Sequence, residues 1–300
     1  MPVRILFFVV ACGAGAAFAD DPEPPRADQA IGTDQELTWL DDYSTAYQQA
    51  EKNQRRLLIY FYRQQPTSAQ RRFESHTLKD PQVLERLASY ELLKLPAGQP
   101  ANVNGEQIQL LRHASFAHMN GTEGLAIVDL KHKDQPFYGR AVSCLPFETP
   151  VYYVSSYTSP QSVSVLLDLP PGTITQRTII YAVRMHPERP ASTDGTVNPM
   201  LLDECRQHAS HQARIRRQGH HNWEGRFHRI SGQLGGQHPV EVCAESWPGK
   251  GLLAASIDCV HSWRQSSGHW NTVRSNQPAY GYDIRRGSNG IWYAAGIFGG

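Results

Sequence analysis

The sequence predicts an α/β protein built from two domains, and three observations lead to that prediction. A chain of 300 residues is long enough for two domains of ordinary size. Apolar runs typical of buried strands alternate with amphipathic stretches typical of helices, as in layered α/β structures. A Pro-Pro-Gly segment at residues 170–172 interrupts this alternation, and we place the domain boundary there.

Composition and charge indicate a folded protein and argue against one class of partner. Apolar residues make up 40% of the chain and charged residues 19%, which is enough apolar material for a core. Lys and Arg together number 29 and Asp and Glu 28, so the chain has no general field that would attract phosphates. We therefore expect no nucleic acid as the main partner.

The amino terminus has the pattern of an export signal. A single positive charge at Arg4 precedes an apolar run at residues 5–10, and residues 17–19 (AFA) form a small-x-small cleavage site. We predict a signal peptide at 1–19, a flexible leader at 20–35, and a secreted or periplasmic mature chain without a transmembrane helix. Alternatively, residues 9–12 (VVAC) form a bacterial lipobox, and Cys12 becomes a lipid anchor.

Four cysteines remain after cleavage at that site: Cys144, Cys205, Cys243 and Cys259. An oxidising compartment permits disulfides among them, but the sequence leaves their connectivity open. No C-x2-C pair is present, which argues against a thiolate zinc site.

The first domain, residues 36–169, is predicted to contain alternating elements. We expect helices at 43–53, at 68–90 with a break at Asp80-Pro81, and at 161–169. The following segments are expected to be strands: 57–62, 92–95, 125–130 and 137–142.

This domain resembles a thioredoxin-like domain. The resemblance is carried by Trp39, the helix with Ala46 and Ala50, the strand at 57–62, and the turn and strand at 121–129. Residues 63–69 (RQQPTSA) occupy the family's redox position without a cysteine, and Glu123 stands where the family usually has proline. Thiol exchange needs a thiolate, so we predict a redox-inactive scaffold or docking module.

The second domain, residues 171–300, is predicted to begin with two helices and to end in a hairpin. The helices lie at 173–185 and from Asn198-Pro199 to about residue 217. The hairpin strands lie at 279–284 and 291–298, on either side of a loop that contains Gly and Asn.

Three motifs mark this domain: GHHN at 219–222, CAESW at 243–247 and WRQSSGH at 263–269. In this order they resemble the CAP superfamily, the SCP-type extracellular domain, in its bacterial form. The resemblance implies an α-β-α sandwich with a cleft formed by His221, Glu245 and His269. Two departures matter: Ser246 replaces the usual Asn, and the segment 264–268 lacks the second acid of eukaryotic members.

The chemistry of these three residues fits a metal. Imidazoles and a carboxylate are ordinary zinc ligands, and three protein ligands leave the fourth position open, as in catalytic zinc sites. In the alternative interpretation His221 and His269 are structural histidines. His208 and His211, with Glu204 one turn earlier, form a second potential metal face on the long helix, although a solvated helix side is the explanation we favour.

Taken together, the sequence predicts a non-catalytic binding module for an unknown extracellular or envelope ligand. The alternative is a zinc-dependent hydrolase that uses His221, His269 and Glu245, with Glu245 as the candidate catalytic base. The sequence alone leaves open whether the protein is an enzyme.

Overall fold

Helices and strands alternate along the computed structural model, which describes residues 37–148 and 156–299. The expected signal peptide, the leader and Cys12 lie outside the described residues. The first half contains α1 (Tyr43–Lys52), β1 (Arg56–Tyr62), α2 (Ser68–Ser75), α3 (Pro81–Leu87), β2 (Tyr90–Pro96), β3 (Ala101–Val103), β4 (Glu106–Ile108), β5 (Gly124–Val128), β6 (Ala141–Pro146) and α4 (Pro160–Leu167). The second half contains α5 (Ile174–Arg184), β7 (Thr196–Val197), α6 (Pro199–Ile215), α7 (Trp223–Gln233), β8 (Val240–Glu245), α8 (Leu252–Gln265), α9 (Ser267–Arg274), β9 (Ala279–Arg286) and β10 (Trp292–Gly299).

The first sheet has the strand order β2-β1-β5-β6. Strand β1 runs parallel to β2, and the helices α2 and α3 supply the crossover that parallel neighbours require. Strands β1 and β5 are antiparallel, as are β5 and β6. The sheet therefore combines a β-α-β unit with an antiparallel pair.

The helix break predicted at Asp80-Pro81 is confirmed, and its cause is a cap. The Asp80 side chain accepts hydrogen bonds from the backbone N–H groups of Gln82 and Val83, at 3.0 and 3.2 Å. Pro81 occupies the first turn of α3, where its missing N–H costs no hydrogen bond.

Helices cover both faces of the second sheet, whose strand order is β7-β9-β10-β8. Alternate side chains of β10 enter two separate apolar clusters, as the period of a strand requires. Ala294 and Phe298 pack in the cluster that contains residues of α5 and α8, whereas Ala295 and Ile297 pack with α6 and α7. The mixed α/β class predicted from the sequence is confirmed.

Helix α6 lies directly on strand β9, and Gly281 makes this approach possible. A Cβ at this position would lie 2.4 Å from the carbonyl carbon of Leu201, which no side chain could tolerate. The Sγ of Cys205 donates to the carbonyl oxygen of Gly281 at 3.1 Å. This contact fixes the helix that carries His208 and His211 against the sheet.

The predicted boundary segment is held by one buried cation, Arg177 of α5. Its guanidinium donates to the carbonyl oxygens of Leu166, Leu169 and Pro170 and to the Oγ of Ser143 in β6. Burial lowers the pKa of Arg177 to about 9. This value is still above 7, so the guanidinium is protonated at neutral pH. The carbonyl oxygens at the end of the first half therefore depend on a side chain of the second.

The two halves also share apolar packing. One cluster contains Leu58 and Leu125 of the first sheet together with Val242 and Tyr282 of the second. Leu37–Gly300 forms one compact unit. Apolar packing thus continues between the two sides of the boundary predicted at residues 170–172, where Pro171 itself is exposed.

Two sequence expectations differ from the structure in this region. The strand expected at 137–142 begins only at Ala141, because residues 137–140 form a turn in which the Arg140 N–H donates to the Phe137 carbonyl and Gly139 has a φ of 68°. All four described cysteines are buried free thiols, so the disulfide considered above is not formed among the described residues. Burial raises the pKa of Cys144 to about 12.

Within residues 37–148 and 156–299, no helix combines the length and the apolar character that crossing a bilayer would demand.

Candidate functional site

The centre of the candidate site is Glu241, a buried carboxylate on β8. Side chains of a strand alternate between faces, so Glu241 shares one face with Cys243 and Glu245, while Val242 and Ala244 enter the apolar core. Glu241 is only 6% exposed. A carboxylate so deeply buried requires charged or hydrogen-bonding partners.

Two imidazoles extend from this carboxylate toward the surface. The Nδ1 of His220 lies 2.9 Å from Oε1 of Glu241, and its Nε2 lies 3.3 Å from Nε2 of His269. The His220 side chain is 41% exposed and His269 is partly buried. We call these three residues the histidine-pair site.

Glu241 also has two partners in the protein interior. The Nη2 of Arg226 forms an ion pair with Oε2 at 2.5 Å, and the Nε2 of His208 lies 3.7 Å from Oε1. Desolvation alone would raise the pKa of Glu241, but the His220 hydrogen bond and the charges of His208 and Arg226 outweigh it and hold the pKa below its ordinary value. Glu241 is therefore ionised at neutral pH.

This charge fixes the tautomer of His220. An ionised carboxylate only accepts hydrogen bonds, so the Nδ1 of His220 carries the proton and its Nε2 bears the lone pair. Burial and the neighbouring His220 lower the pKa of His269, which is consequently neutral at pH 7. Because the two Nε2 atoms are hydrogen-bonded, Nε2 of His269 is then the donor, and a metal that bound both nitrogens would have to displace this proton to Nδ1 of His269.

The residues implied by the family resemblance lie in three different places. His269 belongs to the histidine-pair site, but the Nε2 of His221 donates to the carbonyl oxygen of Arg217 at 3.2 Å and its ring contacts His208 and His211. Glu245 is exposed at the end of β8. The set His221, Glu245 and His269 is thus not gathered as expected, and His220 and Glu241 stand beside His269 instead.

One signal in the sequence points to Glu241, and none points to His220. The alternation of apolar and polar residues in VEVCAE, read as a strand, places Glu241 on the same face as Glu245, four residues away along the strand. The adjacent histidines of GHHN offer no such signal, because the turn before α7 decides which ring faces β8.

One group of potential ligands among the described residues has its ligand atoms within 4.8 Å of one another, namely His208, Glu241 and Cys243, all buried. This group could hold a metal ion. However, the Nε2 of His208 lies 2.9 Å from the carbonyl oxygen of Gly219, and since a carbonyl only accepts, this nitrogen carries a proton. Burial also raises the pKa of Cys243 well above its ordinary value. A metal bound here would have to displace both protons.

The second metal face considered on α6 is not a simple solvated helix side. His208 is 3% exposed and Glu204 is 5% exposed. Glu204 accepts two hydrogen bonds from Nη2 of Arg229, at 2.9 and 2.6 Å, which leaves it committed to that cation.

Glu245 lines a different cavity of about 320 Å³, together with Asp258 and His261. Trp247 stands at the same cavity with 72% of its surface exposed, whereas Trp263, Trp270 and Trp292 are buried. Among the described residues, Trp247 is therefore the one tryptophan whose ring is exposed enough to stack on a ligand.

Another buried glutamate, Glu123, lies beside residues 63–69, the segment that lacks the redox cysteines, and is 0% exposed. It accepts hydrogen bonds from the Oγ1 atoms of Thr67 and Thr122, each at 2.8 Å, and from Nε of Arg63. Desolvation would raise the pKa of Glu123, but these hydrogen bonds outweigh it and lower the pKa. We call these four residues the threonine cluster.

No protein-family model matches the chain, and no curated protein matches it significantly.

Proposed function

We propose that the protein is an exported, CAP-type binding module whose ligand site is the histidine-pair site, with the first half acting as a redox-inactive scaffold. The observation that carries this proposal is the 3.3 Å separation of the two Nε2 atoms above an ionised Glu241. The helices on both faces of the second sheet are consistent with the sandwich implied by the resemblance. The export signal and the three motifs support it from the sequence.

The electrostatics favour binding over catalysis. A general base works best with a pKa near the operating pH, but the pKa of Glu241 is lowered and Arg226 holds its second oxygen. Glu245, the candidate base from the sequence, is exposed in a separate cavity. The pair is therefore suited to holding a ligand or an ion more than to moving a proton.

One observation favours the alternative, a metal-dependent hydrolase. Two zinc–nitrogen bonds of about 2.0–2.1 Å at a tetrahedral angle separate the nitrogens by about 3.3 Å, the distance found here between His220 and His269. Glu241 behind His220 provides the carboxylate–histidine arrangement that orients metal-bound imidazoles. Donors beyond this pair would come from water or from the ligand.

Calorimetric zinc titration tests the site. We expect zinc to bind the wild-type protein near pH 7.5 and to bind more weakly below about pH 6.5, where free imidazoles become protonated. His269→Ala should weaken binding by at least about tenfold, because it removes half of the nitrogen pair. Glu245→Gln is the matched control and should bind as the wild type does.

The same proteins separate the two functions. Zinc-dependent turnover of 4-nitrophenyl acetate that is lost in His269→Ala would favour the hydrolase. Binding without turnover would favour the binding module. Equal zinc affinity in the wild type and His269→Ala would show that the histidine pair is structural.

A further inference from the structure

A third cluster of charged side chains, distinct from the histidine-pair site, lines a cavity of about 320 Å³ between α6 and α7. Its lining consists of Glu204, Gln207, His208, His211, Arg214, His221, Asn222, Arg226 and Arg229. Three guanidinium groups therefore surround a space that contains one carboxylate. We call it the arginine cavity.

The negative charge of the one lining carboxylate does not balance the positive charges of the three arginines. Glu204 is held by Arg229 alone, and Arg226 is paired with Glu241, which is not a lining residue. Arg214 has no carboxylate within ion-pair distance among residues 37–148 and 156–299, and its Nη2 donates to Nδ1 of His211 at 2.9 Å. The cavity thus carries a net positive charge.

Hydrogen-bonding capacity points in the same direction. Arg226 is 8% exposed, and its Nη1 has no hydrogen-bond partner within the described part of the chain. An unsatisfied buried guanidinium nitrogen is costly, so this nitrogen gains from any acceptor that local movement brings within reach. Because His211 accepts at Nδ1 from an arginine, its Nε2 must carry the proton and is a further donor.

We propose that the arginine cavity binds the phosphate group of a small phosphate monoester. Guanidinium groups recognise phosphate oxygens through paired hydrogen bonds. The groups left to donate here are Arg214, which has no carboxylate partner among the described residues, and Nε2 of His211, while Arg226 and Arg229 add positive charge. The cavity has room for an organic group beside the phosphate. The chain as a whole is nearly neutral, so the attraction is confined to this cavity and is not a general affinity for polyanions.

The arginine cavity and the histidine-pair site share Arg226, which lines the cavity and pairs with Glu241, but their histidines differ. His220 and His221 are neighbours in sequence, but His220 contacts Glu241 and His269, whereas His221 contacts the rings of His208 and His211. A phosphate at the arginine cavity therefore requires no metal at the histidine-pair site.

The test is isothermal calorimetry on the purified, metal-free protein with glycerol 3-phosphate, inorganic phosphate and glycerol as probes. We expect the phosphate monoester to bind and glycerol to give no heat. Arg214→Gln should weaken binding by about tenfold, because it removes the guanidinium without a carboxylate partner. Arg274→Gln, which removes an exposed arginine of α9 outside the cavity, is the matched control and should bind as the wild type does.

Each outcome decides the proposal. Tighter binding of glycerol 3-phosphate than of phosphate identifies an organic phosphate as the ligand, and equal binding identifies the free ion. Absence of heat with both anions up to about 10 mM, an affinity too weak to matter, overturns the proposal. So does an equal loss in Arg214→Gln and Arg274→Gln. Thermal melts confirm that both variants are folded.

Discussion

The threonine cluster of the first sheet and the histidine-pair site of the second are built on the same element, a buried ionised glutamate beside an arginine. Their outer partners differ. Glu123 accepts hydrogen bonds from two hydroxyl groups and a guanidinium, and none of these groups is an ordinary zinc ligand. Glu241 is bonded to an imidazole whose second nitrogen reaches the surface. A buried carboxylate is thus no sign of a functional site by itself, since its function depends on what its partners present to solvent.

The largest effect is expected from removing the carboxylate of the threonine cluster. Glu123→Ala leaves Thr67 and Thr122 without their acceptor and should lower the free energy of unfolding by about 3 kcal/mol. Arg63 can turn toward water because its side chain is 43% exposed, which keeps the loss from being larger. Urea unfolding measures it, and the zinc titration should be unchanged.

Glu123→Gln is the matched variant, because it keeps the shape and one acceptor oxygen and should lose about half as much. An Ala variant within about 0.5 kcal/mol of the wild type would mean that the cluster contributes nothing to stability.

An intermediate effect on the free energy of unfolding is expected when the pH is lowered. Burial lowers the pKa of His208 to about 4, below the ordinary value of 6.5, so the unfolded state binds more protons between these two values. Stability contributed by neutral His208 is therefore present above about pH 6.5 and is lost as the pH falls toward 4. The loss amounts to at most about 2 kcal/mol at pH 5. Glu123, with a lowered pKa, instead loses its contribution only as the pH falls below its unfolded value of 4.5.

Thermal melts of the wild type and His208→Gln from pH 7.5 to 5 measure this difference. The variant should show a shallower decline, while His228→Gln, an exposed histidine, should follow the wild type. Asp283, whose pKa is raised by burial, changes stability with pH in the opposite direction. It is present in all three proteins, so its contribution cancels when their melting curves are compared. Parallel curves for all three proteins would contradict the assignment to His208.

The smallest effect is expected from the buried thiol beside Glu241. Cys243→Ala should leave zinc affinity within about twofold of the wild type and cost about 1 kcal/mol of stability, since only a small buried group is lost. The measurement is the same zinc titration. Loss of zinc binding in Cys243→Ala, with binding retained in His269→Ala, would place the metal at His208, Glu241 and Cys243.

Elements with strong local signals were predictable from the sequence, and the site was predictable only in part. The α3 cap at Asp80 and the closing hairpin β9–β10 follow from turn chemistry and periodicity, and the structure confirms them. Strand β8 was not recognised, because the short segment VEVCAE mixes two carboxylates with apolar residues. Without that strand, nothing in the sequence brings Glu241 beside His220.

The buried guanidinium at Arg177 has a consequence for synthesis. The first sheet is complete when Pro146 has been made, and α4 when Leu167 has been made, yet the carbonyls of Leu166 and Pro170 receive a donor from Arg177 of α5, as does that of Leu169, to which Arg56 also donates at 3.5 Å. Domains that fold during translation generally fold in order from the amino terminus. Here the end of the first half lacks the Arg177 guanidinium until α5 has left the ribosome, and its carbonyls bind water until then. We therefore expect a chain stalled or cleaved just after residue 170 to be cut by proteases near α4 more readily than the full chain.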